Sequence, residues 1–461
     1  MRSSGRTLPL AMAALLGGCS ASGAPPASPG LPVVPQAHAF APDGRVRRGP
    51  SSGKIKHIVI IVQENRSFNN LFYGFPGAKT VRYGFDSQND KIKLVPIGLE
   101  TKWDISHNSG DFFHACNGTG SIPGTDCRMN GFDKEPILSG CGSPSSPCPK
   151  HPQYGFVPHS ESKPYFDMAK QYVLADRMYG SNFDSSSFVS HQYIIAGQAQ
   201  SSVDYPFGQW GCPGGPGDDI NIVGPQRQIP NGEELACWDP TTLGDELDDA
   251  GVSWGYYTGQ IGGNGGMWSG YQAIKHIYKG KDWKKDIISP QTDFLDDVSN
   301  GKLRGVSWIT PTLQNSDHAG YGSNTGPSWV TSLVNAIGES PYWKSTAIFI
   351  FWDDYGGWYD PEPPAYADYD GLGLRIPMLI ISPYAKKGHV SHVHYEHGTI
   401  LKFVEDTFGL PRLAASDARA NAPSDAFNFK KAPRVFVPIQ APYDKAYFLN
   451  QPADLRMPDW E

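Results

Sequence analysis

Two pairs of oxygen-bearing side chains stand directly after apolar, β-branched runs. Glu64-Asn65 follows the run from Ile55 to Gln63, and Asp353-Asp354 follows the run from Ala347 to Trp352. Alone, either pair is what loop starts and helix caps commonly show. Together they supply three carboxylates and an amide, a donor set for one hard divalent cation such as Ca, Mg or Mn, with Zn also compatible. Carboxylates crowded without a cation repel and resist ionisation, and a bound ion removes that cost. A third element is the stretch from Asn182 to Gly197 (NFDSSSFVSHQYIIAG), a serine-rich turn that runs into a helical pattern. A serine near a helix N-terminus sits where backbone N–H groups favour an anionic phosphoryl group. Ser190 is the first candidate for such a nucleophile, with Ser185, Ser186 and Ser187 as alternatives. Ordinary helix capping is the competing reading for any one of them.

These residues need a scaffold that brings distant segments to one edge. Further apolar runs extend from Val252 to Thr258, Gly305 to Ile309 and Pro377 to Ile381. Helical spacing of apolar residues marks the segments from Leu243 to Ala250, Pro327 to Ile337 and Gly398 to Phe408. Alternating strands and helices predict an α/β fold with a mainly parallel central sheet flanked by helices. Such sheets carry their sites beyond the carboxyl ends of the strands. Adjacent side chains on a strand point to opposite faces, so neighbours share an ion only where the strand has broken into a loop. Asn65-Arg66-Ser67 and Tyr355-Gly356-Gly357 permit that break. Residues 76–160 and 205–240, rich in Gly, Pro and Cys, read as insertions over the site, and residues 413–461 as a surface wrap.

The 461 residues carry 39 Lys and Arg against 46 Asp and Glu, a net charge of -7, with 18% charged residues. With a mean hydropathy of -0.40 this excludes a polytopic membrane protein, and the acidity argues against a nucleic-acid partner. Arg2 and Arg6, the apolar stretch from Leu8 to Leu16 and the small residues before Cys19 have the order of an export signal covering residues 1–18. Leu16-Gly17-Gly18-Cys19 resembles a bacterial lipobox, which implies a lipid on Cys19, a flexible spacer over residues 19–53 and a membrane partner through that anchor. The catalytic body is then residues 54–461, exported to the cell envelope or secreted. Cys116, Cys127, Cys141, Cys148, Cys212 and Cys237 remain, an even set that reads as disulfides stapling the insertions. The sequence-local pairing 116–127, 141–148 and 212–237 is the first of 15 possibilities. A zinc site is the weaker alternative, because there is no Cys-x2-Cys pair.

The strings HIVIIVQENRSF (His57 to Phe68), Ser190-His191, FWDDYGGWYD (Phe351 to Asp360) and HGTILKF (His397 to Phe403) resemble the phosphoesterase family of bacterial non-specific phospholipases C and secreted acid phosphatases. The resemblance covers nearly all of residues 55–412 in the family's order. It implies an alkaline-phosphatase-like fold and one divalent metal ion held by Glu64, Asn65, Asp353 and Asp354. Ser190 would complete the shell as nucleophile, although the Pro-Asn that often follows in the family is here Gln192-Tyr193. His107, ahead of the string Arg128-Met129-Asn130-Gly131-Phe132, together with His318 and His397, would surround the phosphoryl oxygens. The implied activity is hydrolysis of phosphate esters through a phosphoserine. The Asp-Asp doublet and the modest length lean towards phosphomonoesters, as in an acid phosphatase. Phospholipid head groups, as in a phospholipase C, are the alternative substrate, and a non-catalytic surface lipoprotein on this scaffold is a third reading.

Overall fold

The computed structural model describes residues 49–457 except 139, 142–147, 262, 263 and 322. The expected export signal, Cys19 and the spacer up to residue 48 lie outside the described residues.

The apolar runs form the middle of a nine-stranded sheet. In chain order its strands are β1 (His57–Gln63), β2 (Val173–Tyr179), β3 (Trp254–Tyr257), β4 (Ile287–Ile288), β5 (Val306–Ile309), β6 (Thr346–Trp352), β7 (Arg375–Ile381), β8 (His389–Ser391) and β9 (Tyr395–Glu396). Their spatial order is β4-β3-β5-β1-β6-β7-β2-β8, with β9 also paired to β2. β1 lies between β5 and β6 and runs parallel to both, with Gln63 level with Trp352. Glu64 and Asp353 therefore leave the sheet side by side.

The sheet is mainly parallel, as expected, with one reversal: β7 runs antiparallel to both β6 and β2. The chain from Asp353 to Leu374 contains no crossover helix, so it returns along the edge it left, which yields an antiparallel neighbour. β2 is absent from the expectations drawn above. Its sequence VLADRMY is broken by Asp176 and Arg177, and Asp176 is buried because it accepts from the Lys79 backbone N–H (2.9 Å) and pairs with His392 (2.8 Å).

Helices cover the sheet: α1 (Phe68–Leu71), α2 (His159–Gln171), α3 (Ser187–Ala196), α4 (Gly326–Gly338) and α5 (His397–Phe408). α4 buries Trp329, Val330, Leu333, Val334 and Ile337, the stripe its spacing predicts. α3 differs, since all ten of its residues are buried, its polar ones included. Among the described residues no helix is long and apolar enough to cross a membrane. Towards the C-terminus the chain wraps the surface: the Asn335 side chain bonds Ile439 in both directions (2.8 and 3.0 Å), and the Trp343 indole donates to the Arg434 carbonyl (2.7 Å).

The disulfides are Cys116–Cys127, Cys141–Cys148 and Cys212–Cys237, the sequence-local set. The last closes a separation of 25 residues that contains Asp219–Ile222 and Glu233–Leu235, two strands of the small sheet they form with Ser202–Val203. Replacing both Cys212 and Cys237 by serine should lower the unfolding free energy by about 3 kcal/mol. Denaturant titration under oxidising conditions reads that loss, and an unchanged midpoint would contradict it.

Candidate active site

Two loops meet where β1 and β6 end. Asn65 adopts a left-handed backbone (φ 61°), which Asn tolerates better than most residues, and Gly356 does the same (φ 61°). A Cβ on Gly356 would stand 2.2 Å from the Asn65 carbonyl oxygen, so only glycine lets the two loops touch. The Asn65 backbone N–H then donates to Asp353 Oδ1 (3.2 Å), and the Gly356 N–H to Asp354 Oδ1 (2.7 Å). Gly356→Ala should therefore displace Asn65 and cut turnover by about 10²-fold. Steady-state rates beside a circular dichroism spectrum test this, and a fully active variant would contradict it.

Glu64, Asn65, Asp353 and Asp354 are brought together, with no member more than 3% exposed. One end of the Asn65 carboxamide lies 3.2 Å from Glu64 Oε2 and 3.1 Å from Asp353 Oδ1; the other lies 2.7 Å from His107 Nε2 and 2.9 Å from His318 Nε2. His107 and His318 each place Nδ1 2.7 Å from a backbone carbonyl, those of Ile105 and Ala319. Each Nδ1 therefore carries a proton. The carboxamide nitrogen faces the carboxylates and donates to Glu64 Oε2 and Asp353 Oδ1, while its oxygen accepts from His107 Nε2 and His318 Nε2.

His191 points to the same place. Its Nδ1 lies 3.3 Å from the Tyr256 hydroxyl, whose own proton goes to the Trp268 carbonyl (2.6 Å), so Nδ1 is the donor. Its Nε2 faces Glu64 Oε1 at 3.2 Å and Asp353 Oδ2 at 4.0 Å. Glu64, His191 and Asp353 can converge on one ion, and the buried Asp353 Oδ2 has no hydrogen-bond partner. The donor set thus fits a divalent metal, with an imidazole added to the expected oxygens.

The serines separate cleanly. α3 begins at Ser187, whose Oγ lies 3.5 Å from Asp354 Oδ2. Ser190 sits nearly one turn further in, and its Oγ bonds only the Asn182 side chain (3.3 Å). Ser185 is in the left-handed region (φ 58°), and the Ser186 hydroxyl donates to Asp184 (2.8 Å). Asp184 also accepts from Asn182 and from the Asp204 N–H, and burial with the nearby Asp204 charge pushes its carboxyl up to about 7. Of the four serines, Ser187 is the one whose hydroxyl meets the acids at the helix N-terminus.

His397 opens α5. It accepts the Ser181 N–H at Nδ1 (3.4 Å), so its proton is on Nε2, and that buried donor has no hydrogen-bond partner. Burial pushes its pKa down to about 4, against the pull of the Asp353 carboxylate. The ring is neutral at physiological pH, with an N–H free for an incoming oxygen. Behind the acids, Arg66 is fully buried, stacks on Trp358 (4.7 Å) and donates to the Asp317 carbonyl (2.7 Å). The Gln63 side chain accepts the Asp317 N–H (3.0 Å) and donates to the Asn315 carbonyl (3.1 Å), fixing the loop that carries His318.

All the expected residues except Ser190 thus meet at one place. His191 was not among the expected ligands; its signal was its position in the quoted Ser190-His191 string, one helical turn beyond Ser187.

A sequence model of the Phosphoesterase family matches residues 146–411. Phospholipase C B of Mycobacterium tuberculosis is 27% identical over 438 residues, covering 84% of this chain and 80% of the relative. Non-specific phospholipase C1 of Arabidopsis thaliana is 25% identical, covering 85% of this chain and 74% of that protein. Non-hemolytic phospholipase C of Burkholderia pseudomallei is 24% identical, and this chain spans 58% of its length. Among solved structures, a protein in the alkaline phosphatase superfamily from Vibrio parahaemolyticus aligns over 82% of this chain and 74% of that one, at 10% identity and a TM-score of 0.38.

Proposed function

Since this chain belongs to the Phosphoesterase family, and so is a phosphoric ester hydrolase, we propose that Ser187 is its nucleophile and that a divalent metal is held by Glu64, Asn65, Asp353 and Asp354, with His191 at its edge. The observation that carries this reading is the Ser187 hydroxyl at the first position of a buried helix, 3.5 Å from Asp354. The bound ion supplies Lewis acidity, lowering the pKa of a nearby hydroxyl and offsetting phosphoryl charge.

The residues do the rest. Ser187 gives its hydroxyl proton to the Asp354 carboxylate, and its Oγ forms the new P–O bond as the ester oxygen leaves, giving a phosphoserine and a free alcohol. The N–H groups at the start of α3 and the His397 Nε2–H stabilise the phosphoryl oxygens. His107 and His318 hold the Asn65 carboxamide oxygen through Nε2 and stand beside the same phosphoryl oxygens. A proton reaches the leaving oxygen from one of the histidines. Water then splits the phosphoserine, restores the Ser187 hydroxyl and releases the phosphate product.

The substrate we favour is the phosphodiester of a phospholipid, on the strength of relatives that are phospholipases C from bacteria and a plant. The second reading is a small phosphomonoester, supported by the burial of every site residue. Rates on p-nitrophenyl phosphate and p-nitrophenylphosphorylcholine decide between them. Preference for the choline ester is expected, preference for the monoester would select the second reading, and no turnover of either would sink both. Three disulfides suit an oxidising compartment, which supports export. We further propose that Cys19 carries a lipid, and the mass of the mature N-terminal peptide tests this.

A further inference from the structure

One surface hairpin gathers three cations, Arg82, Lys91 and Lys93, beside two exposed rings, with the buried Asp86 and the exposed Asp90 at its turn. Residues Tyr83–Phe85 pair antiparallel with Lys91–Lys93, placing Tyr83 opposite Lys93, Gly84 opposite Ile92 and Phe85 opposite Lys91. Alternation along the strands sends Gly84 and Ile92 inward and the other four outward. The inner face is fixed: a Cβ on Gly84 would lie 2.7 Å from the Tyr359 ring, and the Tyr154 hydroxyl donates to the Phe85 carbonyl (2.8 Å). The outer face is open to solvent. Phe85 is 48% exposed, Tyr83 39% and the neighbouring Val95 41%.

The charges on this face are free as well. Lys91 Nζ lies 4.2 Å from the Tyr83 ring centre and the Arg82 guanidinium 6.0 Å from it. Among the described residues, none of Arg82, Lys91 and Lys93 has a carboxylate within ion-pair distance. Exposed rings interleaved with unpaired cations stand here on a chain of net charge -7. The hairpin is also tied to the edge of the sheet that carries the site. The Asn69 side chain, in the helix just after Asn65, bonds the Val81 backbone in both directions (2.8 and 3.4 Å).

We propose that this hairpin face docks on an anionic lipid bilayer. Tyr83 and Phe85 would seat at the head-group level, where amphipathic and aromatic rings are favoured, and Arg82, Lys91 and Lys93 would meet lipid phosphates. Docking turns the site's edge of the sheet towards the membrane. An acidic polymer would engage the cations but gain little from the rings, so a bilayer accounts for both features. The inference rests on exposure and charge and stands apart from the choice of ester, although it serves the phosphodiester reading.

Co-sedimentation of the full chain with phosphatidylcholine vesicles, with and without phosphatidylglycerol, tests it. Any N-terminal lipid contributes equally to all variants and to both vesicles. The wild-type chain should partition at least about tenfold better onto the anionic vesicles, each cation contributing about fivefold. Lys91→Glu/Lys93→Glu should abolish that preference. Tyr83→Ser/Phe85→Ser should weaken the binding that persists at high salt, where surface charges are screened. Lys386→Glu/Lys387→Glu is the control. Those exposed residues follow the end of β7, where Ser382 bonds the Thr346 carbonyl at the start of β6 and hence at the opposite edge of the sheet. That variant should bind as wild type. Hydrolysis of p-nitrophenylphosphorylcholine and of p-nitrophenyl phosphate should be equal in all chains. A wild-type chain indifferent to the anionic lipid, or a Lys91→Glu/Lys93→Glu chain that keeps the preference, would overturn the proposal. So would equal loss in the control. Anionic preference in a chain without hydrolysis would leave docking standing while the proposed reaction falls.

Discussion

Ser187→Ala is expected to lower ester turnover by at least about 10³-fold, because it removes the atom that forms the covalent bond. Ser190→Ala removes only a 3.3 Å hydrogen bond to Asn182, and should cost no more than about tenfold. The pair discriminates because both serines lie on one helix, both are buried, and both tolerate a methyl group in place of CH₂OH without a large cavity. Any general effect on α3 would appear in both variants. The difference between them isolates the hydroxyl that meets Asp354. Near-normal rates in Ser187→Ala, with Ser190→Ala inactive, would move the nucleophile one turn along the helix and break the geometry proposed here.

Removing the metal is the second large effect. Chelation should abolish turnover, and one added divalent ion should restore it. Glu64, Asp353 and Asp354 are enclosed with at most 3% exposure, so the stripped site holds buried like charges with little water to screen them. Thermal stability should therefore rise on reloading, by about 2.7 kcal/mol at an ion concentration of about 100 times Kd. Asp353→Asn gives the opposite pattern without the ion. It relieves part of the repulsion, so the stripped variant should be at least as stable as the stripped wild type, yet inactive when reloaded. A chelated enzyme that keeps its rate would contradict the proposed site, and so would an Asp353→Asn chain that responds to the ion as wild type does.

Much of this architecture was legible in the sequence because it rests on short-range signals. The apolar runs before Glu64 and Asp353 mark β1 and β6, and a parallel pairing in register brings the residues after them together. The cysteines pair locally because each pair closes a short loop. Other features depend on contacts the sequence does not display. β2 carries Asp176 and Arg177 in its middle, and the burial of Asp176 is tolerated because partners arrive from His392 and Lys79. β7 is reversed because no helix lies between it and β6, a matter of the long loop from Asp353 to Leu374 rather than of the strand. The nucleophile's position turned on where α3 begins. Four serines within six residues all suit a helix start, and the left-handed Ser185 with the Asp184–Ser186 hydrogen bond sets the first turn at Ser187. His191 was hidden for the same reason, since its approach to Glu64 follows only from that helical phase.

The covalent intermediate is the most direct test. The enzyme would be mixed with whichever of p-nitrophenylphosphorylcholine and p-nitrophenyl phosphate it turns over, quenched in acid during turnover, digested, and its phosphoryl-bearing peptides sequenced by mass spectrometry. The account predicts a phosphate on Ser187, absent from the Ser187→Ala chain and retained in Ser190→Ala. Phosphate on Ser190 or on another serine, or turnover with no phosphoserine under conditions that trap it, would contradict the account.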